Sequence, residues 1–365
     1  MADQKPGTPA GVARTARTYR RRTARIAAAA ATVLLLAACS TLDSSSAGTS
    51  SVPRSGTASS TRAPRPAGPF AVGTVVETLT EPATTTAAAR MITTYLRYPA
   101  AAGTPGVESP GAPPEQAGAP YPLVVFSQGF DIAASRYSAM LDAWAEAGYV
   151  VAEPVYPGTD PQGPGPLDRA DIVNHPADLS FVISQLLHQN ATSSSVLSNL
   201  IEPWNVIAAG QSDGGDVSLA AVANSCCRDA RIRAAILLSG AEYVAFGTTY
   251  FTTPSVPLLI VQGTADVINP PVCSNQIFDA APKPKYYVVL QGADHLVAYT
   301  TTGVYAEVVD KVTLDFLAGV TGAGKANLAR IGVDGNVAGV ASTVAPGTEM
   351  PLSGVCPGAP ASASG

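Results

Sequence analysis

The sequence predicts an α/β protein in which a mostly parallel, eight-stranded sheet is flanked by helices within a single domain. Three observations carry this prediction. From about residue 71, short apolar runs rich in Val, Ile and Tyr alternate with longer amphipathic stretches. Several of the runs are continuously apolar rather than alternating, as strands buried on both faces must be. Hydrophobic residues make up 46% of the 365 residues and charged residues 13%, which allows a sizeable core and excludes wholesale disorder.

In chain order, strands are expected at residues 74–79, 92–98, 123–126, 149–155, 206–209, 234–238, 258–262 and 286–290. Helical periodicity occupies residues 136–147, 178–188, 216–224, 275–281 and 304–317. The first two strands follow one another with no helix between them, so an antiparallel edge is expected there. Two Pro/Gly-rich stretches interrupt the order. Residues 100–122 read as a surface excursion, and residues 157–165 fall where a loop can cover substrate. The domain is expected over 71–320. Beyond it, the tail at 321–365 returns to Gly, Ala and Pro and is expected to pack on the domain or extend from it, with short helices and Cys356 as a pin.

The N-terminal region differs in kind. Residues 1–38 hold seven basic groups (Lys5, Arg14, Arg17, Arg20, Arg21, Arg22 and Arg25) against the single acid Asp3. The rest of the chain carries 15 basic and 26 acidic residues, a balance that argues against a nucleic-acid partner. The basic run feeds into thirteen apolar residues, 26–38, too short for a bilayer span of about 20 and suited to a signal peptide. That stretch ends in Leu36-Ala37-Ala38-Cys39, which resembles the bacterial lipobox, so cleavage before Cys39 and its lipidation are expected. Residues 39–70 are rich in Ser, Thr, Ala, Gly and Pro and read as a disordered tether. Cys226, Cys227, Cys273 and Cys356 remain; an even count outside the cytosol suggests disulfides, with three pairings open. No C-x-x-C spacing points to a metal cluster.

Chemistry concentrates at residues 205–223. An apolar strand runs into Gly210-Gln211-Ser212-Asp213-Gly214, followed by a helical pattern. The G-x-S-x-G pattern alone is weak, but strand, turn and helix together form a nucleophile elbow. Gly210 and Gly214 keep strand and helix from colliding, and Ser212 is the expected nucleophile. A serine hydroxyl needs a base. Of three histidines, His175 precedes a proline ahead of a helix and His188 lies late in that helix, whereas His295 sits in a loop after the last strand. His295 is therefore the expected base. For the acid, residues 258–266 give an apolar strand, a Gly-containing turn and Asp266. Asp294 abuts the histidine too closely, and Asp279 lies within a helical pattern. The expected triad is Ser212, Asp266 and His295. The oxyanion donors are expected to be the backbone N–H of Asp213 and an N–H from the loop at 126–130, with Phe130 favoured over Gln128 or Gly129.

These residues resemble the α/β-hydrolase family, and within it the bacterial lipases, polyester hydrolases and platelet-activating-factor-acetylhydrolase-like proteins. The resemblance covers roughly residues 89–328. Its carriers are Tyr98-Pro99 and residues 122–130, 174–187, 210–215, 263–266 and 292–295. It implies an α/β-hydrolase fold and ester hydrolysis through an acyl-enzyme, with no cofactor and no metal. Relatives usually carry histidine where this chain has Gln128 and Gln211, neither of which belongs to the triad. Cys273 lies seven residues beyond Asp266, where a disulfide would brace the acid loop. The acyl pocket is expected among Phe130, the loop from Tyr156 and residues 243–251, suited to an apolar acyl or aromatic group. The expectation is thus an exported, lipid-anchored serine esterase, held to a membrane through Cys39 or secreted, acting on a small-molecule or lipid ester. An acyltransferase on the same triad and a non-catalytic binding lipoprotein are its rivals.

Overall fold

The computed structural model describes residues 68–85, 88–247, 249–252, 256–322 and 324–358. The expected signal peptide, Cys39 and nearly all of the 39–70 tether lie outside the described residues. Among the described residues, no helix is long and apolar enough to cross a membrane.

One sheet organises these residues. Its strands are β1 (Ala71–Glu81), β2 (Arg90–Ala100), β3 (Glu108–Pro110), β4 (Tyr121–Ser127), β5 (Val150–Val155), β6 (Ile201–Gln211), β7 (Ile232–Leu238), β8 (Leu258–Gly263), β9 (Lys285–Leu290) and β10 (Ala341–Val344). They lie in the order β10-β9-β8-β7-β6-β4-β5-β2-β1-β3. The block from β5 to β9 is parallel throughout, while β1 with β2, β2 with β5, and β9 with β10 are antiparallel. The sheet is therefore α/β and mostly parallel, with ten strands among the described residues rather than eight. The two extra strands, β3 and β10, are three and four residues long and sit at opposite edges. Neither contains an apolar run; each forms because a neighbouring strand offers it a ladder, a tertiary cause that local pattern does not carry.

Among the described residues, seven α-helices cover the sheet: α1 (Ser138–Glu146), α2 (His175–Asn190), α3 (Asp213–Ala223), α4 (Pro271–Ala280), α5 (Val297–Thr300), α6 (Val304–Thr321) and α7 (Lys325–Asp334). Among the described residues two large apolar clusters form, one on each face, beside a small one of Ala241, Val272, Cys273 and Cys356. Alternate residues of the central strands divide between them: Leu123 and Val125 join α2, α3 and α4, whereas Val124 and Phe126 join α1 and α6. This two-sided burial is why the strands read as continuous apolar runs.

Four helix starts depart from expectation, α1 beginning at Ser138 rather than 136 and α2 at His175 rather than 178. α3 begins at Asp213 rather than 216, since Gly214 and Gly215 are helical here despite their poor intrinsic propensity. α4 begins at Pro271 rather than 275, because a proline in the first turn lacks only an N–H that the helix would leave unpaired. The tail contributes α7 and β10 and is tied to α4 by a disulfide between Cys273 and Cys356. Cys226 and Cys227, adjacent in sequence, form the other disulfide, in the turn after α3.

A buried ionic network occupies the β2–β5 side. Arg97, on β2, donates to Glu153 and Asp142 at 2.9 Å each, to Glu108 at 3.1 Å and to the Ser138 hydroxyl at 2.9 Å. Burial pushes the Glu153 carboxyl up to about 7, against the lowering effect of Arg97. Burial likewise raises Asp142 to about 6. Arg97, Glu108, Ser138 and Glu153 border a cavity of about 510 Å³ between the first hairpin and the Asp160 loop.

Candidate active site

The parallel strands β4, β6, β8 and β9 all end at one edge of the sheet, and the loops leaving those ends carry the candidate residues. Ser212 stands between the last residue of β6 and the first of α3, with φ 55° and ψ −126°. A residue with a side chain adopts this conformation only under strain of about 1–3 kcal/mol, and the surroundings enforce it. The Ser212 N–H donates to the Leu238 carbonyl at 3.0 Å, and the Ser212 carbonyl accepts from the Asp216 N–H at 3.0 Å. A Cβ at Gly210 would overlap the Gly214 carbonyl, and one at Gly214 would overlap the Ser127 carbonyl. Both glycines are therefore required by space, as the sequence pattern predicts.

His295 joins the serine to the acid. Its Nδ1 donates to Asp266 Oδ2 at 2.8 Å, since a carboxylate can only accept. That leaves Nε2 as the acceptor for the Ser212 hydroxyl, 2.8 Å away. Asp266 is 2% exposed and is held by three further donors. The Ile268 and Asn269 N–H groups reach Oδ1 at 2.9 Å each, and the Gln262 amide reaches Oδ2 at 3.1 Å. Ser212 is 7% exposed and the His295 side chain 11%, so the whole chain of hydrogen bonds is largely shielded from solvent, with Asp266 the deepest member. The rival acids are placed elsewhere: Asp294 accepts from Leu296 and Val297 N–H at the start of α5, and Asp279 accepts from the Met350 N–H.

The loop after β4 packs directly on the elbow, where a side chain at Gly129 would meet Gln211 Oε1 at 2.6 Å and Ser212 Cβ at 3.2 Å. Within that loop, the Gly129 N–H donates to the Tyr137 hydroxyl at 3.1 Å and the Asp131 N–H to the Thr159 carbonyl at 2.9 Å. The Phe130 N–H takes no acceptor among the described residues. Nor does the Asp213 N–H, which opens α3 and so has no intrahelical partner. These two donors remain available to a ligand oxygen.

Several contacts were not foreseen from sequence. Gln211 donates from Nε2 to the His295 carbonyl at 3.0 Å and approaches His295 Nε2 at 3.3 Å. Its Oε1 accepts from the Tyr137 hydroxyl at 2.8 Å. Through Tyr137 and Gly129, it links the base loop to the loop after β4. Arg169, in the 3₁₀ turn Arg169–Asn174, forks onto Asp213, with Nε to Oδ2 at 2.8 Å and Nη2 to Oδ1 at 2.6 Å. Asp216 is fully enclosed one turn further on; burial and the neighbouring Asp213 charge hold its carboxyl well above the usual range.

Tyr156, expected near the acyl pocket, is buried: its ring stacks on His175 at 4.6 Å and its hydroxyl pairs with Ser127 Oγ at 3.0 Å. His175, Asp171 and Asp178 bring potential metal-ligand atoms within 4.8 Å of one another. The Arg90 guanidinium, however, donates to both of these carboxylates and already supplies the positive charge there. No family model matches the chain, and no curated protein matches it.

Proposed function

We propose that the protein is an exported, lipid-anchored serine hydrolase of the α/β-hydrolase fold, which cleaves carboxylic esters through an acyl-enzyme. The observation that carries this reading is the unbroken hydrogen-bond chain from Asp266 through His295 to a strained serine at a strand-to-helix turn. The hydrogen-bond chain supports the following mechanism. His295 Nε2 takes the Ser212 proton as Oγ attacks the ester carbonyl carbon, and Asp266 stabilises the imidazolium that results. The developing oxyanion is received by the Phe130 and Asp213 N–H groups. The imidazolium then protonates the departing alkoxide, and water repeats the sequence to release the acid.

Export and anchoring are supported by the basic run, the thirteen-residue apolar core and the Leu-Ala-Ala-Cys sequence ending at Cys39. The two disulfides fit an oxidising compartment. The test is hydrolysis of p-nitrophenyl esters of increasing chain length by the protein and by its Ser212→Ala variant. Turnover that is lost in the variant supports the reading; equal turnover by both proteins contradicts it.

A further inference from the structure

Asp213 contributes two opposed groups to the site. Its N–H is placed to stabilise an oxyanion, while its side chain places a carboxylate on the same residue, 6% exposed and shielded from water. A negative charge at that position, in a site of low effective dielectric, opposes the charge that forms on the substrate oxygen. Asp216, enclosed one turn further on, accepts the Ala241 N–H at 2.6 Å, and burial and the Asp213 charge hold its carboxyl well above the usual carboxylate range. The counter-charge to Asp213 comes from outside the elbow. Arg169 follows β5 in sequence, is half exposed, and reaches across to engage both carboxylate oxygens. Its guanidinium carbon also lies 5.7 Å from the centre of the Tyr243 ring, so it bridges the elbow and the 243–251 segment.

We infer that Arg169 is a positioning residue for the proposed hydrolysis: by neutralising the Asp213 carboxylate and fixing its direction, it keeps the Asp213 N–H effective as an oxyanion donor. This rests on the ester-hydrolase reading. A purely structural clamp would stabilise ground state and transition state alike, whereas a counter-charge acts where the oxyanion develops. The loss on removing Arg169 is therefore in kcat, and it depends on Asp213 being charged.

The experiment measures kcat and KM for p-nitrophenyl acetate with the full chain, Ser212→Ala, Arg169→Gln, Arg169→Lys, Asp213→Asn and the Arg169→Gln/Asp213→Asn double variant. Arg169→Gln is expected to lower kcat by about tenfold or more, with KM within about twofold. The same Gln substitution made in the Asp213→Asn background is expected to cost less than about twofold. Arg169→Lys keeps the charge and retains most of kcat, so it carries the test if the Gln variant does not fold. An equal loss in both backgrounds, a loss confined to KM, or no loss overturns the inference while leaving the hydrolase reading in place. Wild-type turnover that survives Ser212→Ala overturns the hydrolase reading and the inference with it.

Discussion

At the ends of β6, β8 and β9, a line of hydrogen bonds runs from Asp266 through His295 and stops at the Ser212 hydroxyl. On β2 and β5, a second network gathers Glu153, Asp142, Glu108 and Ser138 around the buried Arg97. Both networks use carboxylates, and both cross from one element to another. They differ in their termini. The first leads to a hydroxyl whose proton has one place to go, the imidazole. The second ends on a guanidinium that stays protonated under all ordinary conditions. The first can pass a proton to a ligand; the second, centred on a fixed charge, holds its strands together. Removing a member of the first should cost chemistry and spare the fold, and removing a member of the second should do the reverse.

The largest effect is expected at the Ser212 terminus. Ser212→Ala should lower ester turnover by several powers of ten. It should leave thermal unfolding almost unchanged, since it keeps the Cβ and the backbone conformation and removes one hydroxyl but no core packing; calorimetry beside the ester assay checks both halves. Arg97→Met should cost about 3–5 kcal/mol of stability by leaving the buried Glu153 carboxyl without its partner. Denaturant unfolding measures this, and phosphonate labelling of the remaining folded protein should show an unaltered Ser212. A labelling defect with normal stability would break the distinction. Gly214→Ala crosses the two categories: its Cβ would overlap the Ser127 carbonyl. A loss of about 1–3 kcal/mol together with reduced Ser212 reactivity is expected, read from the same two measurements.

The smallest effect is one of pH. The Glu153 carboxyl is raised from 4.5 to about 7 in the folded protein, so the folded state binds this proton more tightly than the unfolded chain does. Its contribution is fully present below pH 4.5 and is lost as pH rises through about 7. Glu153→Gln should flatten that part of the stability curve. Melting temperatures of both proteins across this window check it, and parallel curves would contradict it.

How much was legible in the sequence follows the same division. Ser212, Asp266 and His295 each end a strand–turn sequence within a few residues, so local pattern marked them. Gly210 and Gly214 were legible for the same reason. The Arg97 network was not: its members lie on β2, β3, α1 and β5, and a charged residue on a strand gives no local sign of the partners it meets. Arg169 escaped similarly, because a turn arginine carries no mark of the carboxylate it will reach 44 positions away. The edge strands β3 and β10 and the early start of α3 were hidden because tertiary pairing and close packing override weak local propensity.

The central claim is that Ser212 is a nucleophile activated by His295. Its most direct test is treatment of the protein with a fluorophosphonate, followed by peptide mapping, beside Ser212→Ala and His295→Ala. The account predicts one adduct on Ser212 in the wild type, none at position 212 in Ser212→Ala and strongly slowed labelling in His295→Ala. An unlabelled Ser212 in folded protein, or equal labelling with and without His295, would contradict it.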